Sequence, residues 1–432
     1  MGRYLPDWSQ LNKKISSVER VVYVKKSKRK GAGLLVSCLA MALIVSACGS
    51  SSSSTTASSG GSAQSGSAKP IKIGVSTEAT GGSAEASVNI YQGVQIATDM
   101  INEKGGVKGR PIELVVRDTE ENPTRGVSII RDFSQKENVL AGIGGYFSTV
   151  MLAQTPVIKE EKLPFVVATS NVPESVTNGM PWTFGVRMNA EVTARYALKF
   201  MEKNLNASKV AILHESGGYG KGAVSAMTKA LEEVGKKPVA VESFNLKDQD
   251  MTAQVTRARD AGADVIYLFG IGAPNGYVLK SMDKIGWKVP VIGETGMAAL
   301  GVNEVGGALA TGTFAIQTAN FTSEQTREMS KQFLERFKSK FGHIPTTFSA
   351  AAQGFDGAML IFKALESVDL TDDVKKDREA LKDALENNAG PYSGVIRDWD
   401  KAFSKDNHDA IDINSYVMNM WKDGVIVKSD KQ

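Results

Sequence analysis

The sequence is poor in cysteine and histidine. Its only cysteines, Cys38 and Cys48, both precede the first strand-helix pattern of the chain. No disulfide is therefore expected within the globular part, which must rest on its hydrophobic core alone. The three histidines, His214, His343 and His408, lie far apart without a metal-ligand spacing such as HExxH, and no GxSxG motif is present. These absences argue against a hydrolase, and we expect no enzyme, no metal and no cofactor.

A strong net charge is also lacking. The chain has 51 basic and 47 acidic residues, a formal net charge of +4. Nine of the basic and two of the acidic residues precede residue 48, which leaves 42 basic against 45 acidic residues after it, a balance of −3. The positive charge belongs to the front of the chain, so we expect no nucleic-acid partner.

The apolar run at 34–45 is too short for a membrane span, which needs about 20 residues. It follows a basic stretch at 25–30 and precedes small residues and Cys48, the pattern of a signal peptide with its cleavage site. We therefore expect residues 1–47 to be a signal peptide with an over-extended N-terminus, whose true start is Val24. The segment VSAC at 45–48 resembles the bacterial lipobox, which implies that Cys48 is lipidated. The alternative is an ordinary secretory signal with an incidental cysteine.

Residues 49–68 are Ser, Gly, Thr and Ala with one Gln. This composition cannot bury a core and is typical of a flexible tether. We expect residues 48–68 to form a lipidated cysteine with a tether of roughly 25 Å, enough to hold a domain away from a membrane.

Apolar runs alternate with amphipathic stretches over most of the remaining chain. Ile71–Ser76, Val210–His214 and Val265–Phe269 are examples of such runs. This alternation predicts an α/β fold of parallel sheets covered on both faces by helices. About 360 residues exceed what one core usually supports, so two lobes are expected.

The segment 139–171 joins two predicted strands through a glycine-rich turn and a helix. We expect Ser148 and Thr149 to stand at the N-cap of that helix, where unpaired N–H groups and the helix dipole favour an anion. Thr169 and Asn171 follow the second strand, and strand ends are where ligands of such sheets bind. The segment therefore predicts a site for a small polar molecule, the alternative being two ordinary capped turns.

Five motifs follow one another in a fixed order along the chain. They are INEKGGVKGR at 101–110, GIGGYFS at 142–148, ATSNVPESVT at 168–177, YGKG at 219–222 and GPYSG at 390–394. Together they resemble the branched-chain amino-acid-binding family, the type I periplasmic solute-binding proteins of ABC transporters, in a lipoprotein form. The resemblance runs from about Lys69 to Lys428.

The resemblance implies two α/β lobes joined by three crossover hinge segments, with a ligand held between them. It implies a first lobe of 69–190 plus 319–415 and a second lobe of 191–318 plus 416–432. It also implies a monomer that serves a membrane permease and its ATPase.

In the family, a Ser at the start of the helix after the third strand holds the carboxylate of the ligand. The matching residue here is Ser148. The end of the fourth strand adds backbone groups and a hydroxyl, which the resemblance assigns to Thr169 and to Asn171, where Asn replaces the usual Thr.

The second lobe departs from the family, in which an aromatic ring and an acid meet the ammonium group of the ligand. The aromatic position falls at Ile271 or Gly272, and the acidic position falls at Thr295, with Glu294 one residue away. If Glu294 reaches the ligand, an amino acid is expected; if it does not, a carboxylic acid or an amide is expected.

A second departure concerns the aromatic residue of the first lobe that covers the ligand in the family. Its position falls near Ala86. Tyr146 and Phe147 are candidates to supply an aromatic wall instead, and the alternative is that both pack within the lobe.

The sequence therefore predicts an extracytoplasmic, lipid-anchored solute-binding protein of an ABC importer, which captures an amino acid or a related small carboxylate or amide. The alternative is a clamshell protein that senses a ligand and regulates a receptor or partner. Gly270, Gly272 and Gly276 imitate a dinucleotide-binding motif, but their spacing is GxGxxxG instead of GxGxxG.

Overall fold

A computed structural model describes residues 69–432. The predicted signal peptide, Cys48 and the tether lie outside the described residues. In the part of the chain that is described, no helix combines the length and the apolar character that crossing a membrane requires.

The first sheet has five parallel strands in the order β2-β1-β3-β4-β5. Most of its strand residues are buried, as the near-continuous apolar runs predict for a sheet covered on both faces. The strands are β1 Ile71–Thr77, β2 Ile112–Asp118, β3 Ala141–Gly144, β4 Phe165–Val167 and β5 Thr183–Gly185.

The second sheet has seven strands in the order β14-β13-β10-β9-β8-β6-β7. The strands are β6 Val210–Glu215, β7 Ala240–Phe244, β8 Val265–Phe269, β9 Val291–Gly293, β10 Phe314–Gln317, β13 Val417–Lys422 and β14 Val425–Lys428. The prediction of an α/β fold is confirmed, but the parallel arrangement does not extend to the whole sheet. Strand β13 pairs antiparallel with both β10 and β14. Its direction relative to β14 follows from the two-residue turn that joins them.

Helices cover both sheets. Their bounds are Ala84–Glu103, Pro123–Gln135, Ser148–Glu160, Glu174–Thr177, Ala190–Leu205, Gly218–Glu233, Thr252–Asp260, Ala273–Lys284, Leu300–Gly306, Glu328–Phe341, Phe348–Leu365 and Val374–Asn388. A separate hairpin joins β11 Tyr392–Ser393 to β12 Asp398–Trp399.

The chain passes between the two sheets three times: after β5, after β10 and after β12. At the first passage the side chain of Arg187 is fully buried and lies 3.1 Å from the carboxylate of Asp409, which belongs to the third passage. Asn189 donates from Nδ2 to the same carboxylate at 3.0 Å. The first and third crossover segments are therefore bound to each other by charge-assisted hydrogen bonds.

Candidate functional site

A cavity lies where the carboxyl ends of strands from both sheets face each other. Its free space, including the part open to solvent, is about 280 Å³. The volume open to the centre of a water-sized probe is about 20 Å³, room for about one water molecule, so the walls must move apart to admit a larger ligand. The lining residues are Tyr146, Ser148, Thr169, Asn171, Tyr219, Ile271, Glu294, Thr295 and Gly296.

The turn after β3 brings Tyr146 and Ser148 to the cavity. Gly144 has a φ of +150°, and a Cβ atom there would lie 2.0 Å from the carbonyl oxygen of Ser76 on β1. Only glycine fits this close approach of two strands. The turn therefore fixes the point at which the following helix enters the cavity wall.

The prediction that Ser148 and Thr149 cap this helix is wrong. The helix begins at Ser148, Phe147 occupies the N-cap, and no side chain caps the helix. The two hydroxyls are engaged elsewhere: Ser148 Oγ lies 3.0 Å from Ser170 Oγ, and Thr149 Oγ1 accepts from the N–H of Gly218 at 3.0 Å. The free N–H groups of the first turn remain a favourable place for a carboxylate, since Ser148 lines the cavity beside them.

The chain after β4 supplies Thr169 and Asn171. The Thr169 hydroxyl lies 3.1 Å from the side-chain amide of Gln353, and the Ser170 N–H donates to the carbonyl of Gly145 at 2.8 Å. The backbone of Asn171 is fixed by Arg187, whose Nη1 donates a hydrogen bond to the backbone carbonyl oxygen of Asn171 at 2.7 Å. These contacts fix the polar groups of the first sheet before any ligand binds.

The second sheet contributes Glu294 and Thr295 at the end of β9, where a 3₁₀ helix spans Thr295–Met297. Asn275 Nδ2 donates to the carbonyls of Gly270 and Gly296, at 3.0 and 3.1 Å, and so ties the turn after β8 to the turn after β9. A Cβ atom on Gly296 would lie 2.1 Å from the carbonyl oxygen of Gly270, so the two turns require glycine here.

Three of the residues assigned from the sequence do not line the cavity. Phe147 packs against the hydrophobic core, and the Thr149 hydroxyl binds Gly218. Gly272 shapes the turn after β8, where its φ is +67° and its N–H donates to the carbonyl of Gly296. The other assigned positions, Tyr146, Ser148, Thr169, Asn171, Ile271, Glu294 and Thr295, meet at the cavity.

Sequence reasoning missed Tyr219 and Gly296 as cavity residues. Tyr219 was recognised only as part of the YGKG motif at a helix start. Because that helix follows β6, its first turn faces the same carboxyl edge as the ends of β8 and β9. The position of Tyr219 in the first turn of this helix is therefore the sequence signal that places Tyr219 at the cavity.

Burial dominates the electrostatics of the cavity. It raises the pKa of Glu294 to about 7, against the lowering influence of Thr193, Asn171 and the Arg187 guanidinium. Burial also raises the pKa values of the phenols of Tyr146 and Tyr219, which keeps both hydroxyls protonated. Within the described part of the chain, Glu294 is thus the only lining residue whose charge changes near neutral pH.

Four lining residues carry a buried polar atom that has no hydrogen-bond partner among residues 69–432. These atoms are Asn171 Oδ1, Tyr219 Oη, Glu294 Oε1 and Thr295 Oγ1. Buried polar atoms in folded proteins are nearly always paired. A cluster of unpaired atoms around one cavity is what a site for a polar ligand requires.

A model of the periplasmic binding protein family matches residues 70–424. The chain belongs to this family. The resemblance found in the sequence is therefore confirmed, and with it the two-lobed type I fold of an extracytoplasmic solute-binding protein that is not an enzyme. This chain is 29% identical over 318 residues to a Leu/Ile/Val-binding protein homolog of Brucella melitensis, covering 72% of this chain and 83% of the relative.

Two crystal structures show how closely this periplasmic binding protein follows known relatives. A type 1 periplasmic binding protein from Bordetella pertussis superposes with a TM-score of 0.75 at 26% identity, covering 84% of this chain and all of the other. The leucine-binding protein LivK from Thermotoga maritima gives a TM-score of 0.73 at 26% identity, covering 83% of this chain and 97% of the other.

The three glycines of the GxGxxxG segment in this binding protein have roles within the fold. Gly270 and Gly272 form the turn that hydrogen-bonds to Gly296, as described above. Gly276 lies in the helix Ala273–Lys284, where a Cβ atom would come within 2.7 Å of Val305 in the neighbouring helix. Across residues 69–432, no group of three or more His, Cys, Asp or Glu side chains is arranged to hold a metal ion.

Proposed function

We propose that this chain is the lipid-anchored solute-binding protein of an ABC importer. It captures a small amino acid, or a related carboxylate or amide, between a first lobe of 69–190 plus 319–415 and a second lobe of 191–318 plus 416–432. The loaded form is then read by a membrane permease and its ATPase. The observation that carries this proposal is a polar cavity lined from both sheets, with unpaired polar atoms on each side.

The first-lobe wall suits the carboxylate of the ligand. Ser148 lies in the first turn of the helix Ser148–Glu160, where N–H groups have no partner within the helix. Those N–H groups and the Ser148 and Thr169 hydroxyls supply hydrogen bonds to a negative charge. No basic side chain from residues 69–432 lines the cavity, so we expect dipoles and not a full positive charge to hold the acid.

The second-lobe wall suits the ammonium group. Glu294 Oε1 and Asn171 Oδ1 are unpaired acceptors, one from each lobe, and an ammonium group has three donors. Glu294 lies one residue before the position at which the family carries its acid, yet it reaches the cavity. This favours an amino acid over a ligand without a cation. The curated relatives of the chain, which are named for Leu, Ile and Val, support the same class.

Binding between the two lobes explains how a ligand is signalled to the membrane. In hinged two-domain proteins, ligand contacts made by both domains stabilise the closed form. The cavity is lined by residues that follow β3 and β4 on one side and β8 and β9 on the other. A single small ligand therefore contacts both lobes at once, and closure creates the surface that the permease recognises.

The experiment is a thermal-shift screen of the purified chain against amino acids, small carboxylic acids and small amides. A ligand at about 100 times its dissociation constant stabilises the folded state by roughly 2.7 kcal/mol. We expect at least one amino acid to raise the melting temperature and to bind with a 1:1 stoichiometry in calorimetry. A screen in which no member of these three classes binds would reject the proposed function.

A further inference from the structure

We infer that the two tyrosine hydroxyls in the cavity, those of Tyr146 and Tyr219, select a ligand with a polar side chain over a branched aliphatic one. This inference rests on the proposed function and narrows its ligand class. It concerns small amino acids whose side chain carries a hydroxyl or an amide, such as threonine or asparagine.

The first step is the composition of the cavity wall. Among the described residues, Ile271 is the only aliphatic side chain that lines it, and the remaining members are polar side chains, two phenols and one glycine. An aliphatic ligand side chain would therefore meet hydroxyls and amide groups on most sides. Leaving such groups buried without a partner costs more than the burial of one methyl group contributes.

The second step is the position of the unpaired atoms. Ser148 and Thr169, at the wall suited to the carboxylate, already have partners in Ser170 and Gln353. Tyr219 Oη and Thr295 Oγ1 have none among the described residues. An ammonium group of the ligand supplies hydrogen-bond donors to the side chains of Glu294 and Asn171. It leaves the hydroxyls of Tyr219 and Thr295 as donors without an acceptor. A hydroxyl or carbonyl oxygen on the ligand side chain supplies that acceptor.

Tyr146 supplies a further hydroxyl donor at the cavity. Its ring lines the cavity with 8% of its surface exposed, and no hydrogen bond from its hydroxyl is present within residues 69–432. Burial favours its protonated form, so it remains a donor. Tyr146 and Tyr219 approach the cavity from different sheets, which places a donor on each side of the ligand.

Sites built to hydrogen-bond one group reject the isostere that lacks it far more strongly than apolar pockets reject a polar isostere. Threonine and valine have nearly the same shape and differ by a hydroxyl against a methyl, and asparagine and leucine form a second such pair. The ratio of dissociation constants within each pair therefore measures the preference of the site for a polar side chain, with the size of the side chain held nearly constant.

The test is calorimetric titration of the full chain with these four amino acids and with alanine. We expect the polar member of at least one pair to bind at least tenfold more tightly than its apolar partner. Tyr146→Phe and Tyr219→Phe should each reduce that ratio severalfold. Tyr91→Phe, which removes a hydroxyl bonded to Gln95 outside the cavity, should leave the ratio unchanged.

Valine and leucine binding as tightly as threonine and asparagine would overturn the inference and leave the proposed function intact. A polar preference that survives both tyrosine variants would overturn the role of the hydroxyls. If no amino acid binds but a small acid or amide does, the inference fails and the broader capture function stands. Both fail together only if none of the three ligand classes binds.

Discussion

Asn171 donates a hydrogen bond from Nδ2 to Oε2 of Glu294 at 2.5 Å, and this bond joins the end of β4 in the first sheet to the end of β9 in the second. Both side chains are almost fully buried, at 2% and 1% exposure. The side-chain oxygen of Asn171, Oδ1, and the second carboxylate oxygen of Glu294, Oε1, have no hydrogen-bond partner in the described chain. The pair therefore closes the cavity across the two sheets and keeps two acceptors free for a ligand.

The first prediction concerns the charge of Glu294. Glu294→Gln keeps the shape of the side chain but removes the negative charge that an ammonium group requires. We expect the affinity for the captured amino acid to fall at least tenfold, by loss of a charge-assisted hydrogen bond in a buried site. Calorimetry measures the change, and Glu232→Gln, on the exposed face of the helix Gly218–Glu233, is the matched control.

A small carboxylic acid of the same shape, without the amino group, should bind the parent and the Glu294→Gln variant about equally. Equal loss of affinity for the amino acid and for the acid would show that Glu294 acts through the structure of the site and not through its charge.

Ser148→Ala is the second prediction. The hydroxyl lines the cavity at the first turn of its helix, so its loss should weaken binding by roughly 1–3 kcal/mol, the cost of a hydrogen bond to a charged group. Ser128→Ala, at an exposed site on the helix Pro123–Gln135, is the control. An affinity unchanged in calorimetry would remove Ser148 from the site.

Local sequence patterns were sufficient to predict the architecture. The strand Val265–Phe269 lies at its predicted bounds, because a fully apolar run between turn residues leaves little choice of structure. The apolar periodicity predicts a helix only from Ile90, but the helix begins at Ala84, since the small residues before Ile90 give a weak periodic signal. The antiparallel β13–β14 hairpin was not predicted beyond its first strand, since strand direction depends on distant partners.

The candidate site was predictable where it follows strand ends and not where it depends on contacts between distant segments. Ser148 and Thr169 each follow a strand by a few residues, and both line the cavity. The bond between Asn171 and Glu294 joins residues 123 positions apart, and no local pattern encodes it. The predicted capping by Ser148 failed for the same reason, because Ser170 binds its hydroxyl.

The third prediction is a loss of stability of the ligand-free protein as the pH rises. Burial raises the pKa values of four carboxyls to about 7: those of Glu78, Glu85 and Glu294 from 4.5, and that of Asp356 from 3.8. At pH values between the ordinary and the raised pKa, these carboxyls have lost their protons in the unfolded state but still hold them in the folded state. The free energy of unfolding therefore falls with rising pH in this range. The stabilising effect is fully present below about pH 4 and is lost through pH 7.

We therefore expect a lower melting temperature at pH 8 than at pH 5.5 at constant ionic strength. Circular dichroism without ligand measures it. Glu294→Gln removes one of the four groups and should make the pH profile shallower. Stability that is constant or rises between pH 5.5 and pH 8 would contradict the assignment of protonated buried carboxyls.

The fourth prediction concerns Cys48, which lies outside the described residues. If the VSAC segment is a lipobox, then Cys48→Ser abolishes lipid attachment and the protein should leave the membrane fraction for the soluble extracytoplasmic fraction. Cell fractionation with immunodetection measures the distribution, and Cys38→Ser, within the predicted signal peptide, is the control. Equal membrane association of the parent and Cys48→Ser would exclude the anchor.

The last prediction tests closure at a point away from the cavity wall. The Glu85 carboxylate accepts from the N–H of Leu300 at 3.0 Å, and so links the helix Ala84–Glu103 of the first sheet to the helix Leu300–Gly306 beside the second. Glu85 does not line the cavity.

Glu85→Ala removes a contact of the closed form, so a smaller fraction of the chain is competent to hold ligand and the apparent affinity should fall about three- to tenfold. Most of this change should lie in a faster dissociation rate in stopped-flow measurements, because we expect the contact to break when the lobes open. Glu103→Ala, on the same helix but paired with Arg336, should leave ligand affinity unchanged. If Glu85→Ala lowers only the melting temperature of the ligand-free protein and leaves the dissociation rate at the parent value, the contact stabilises the fold and has no part in closure.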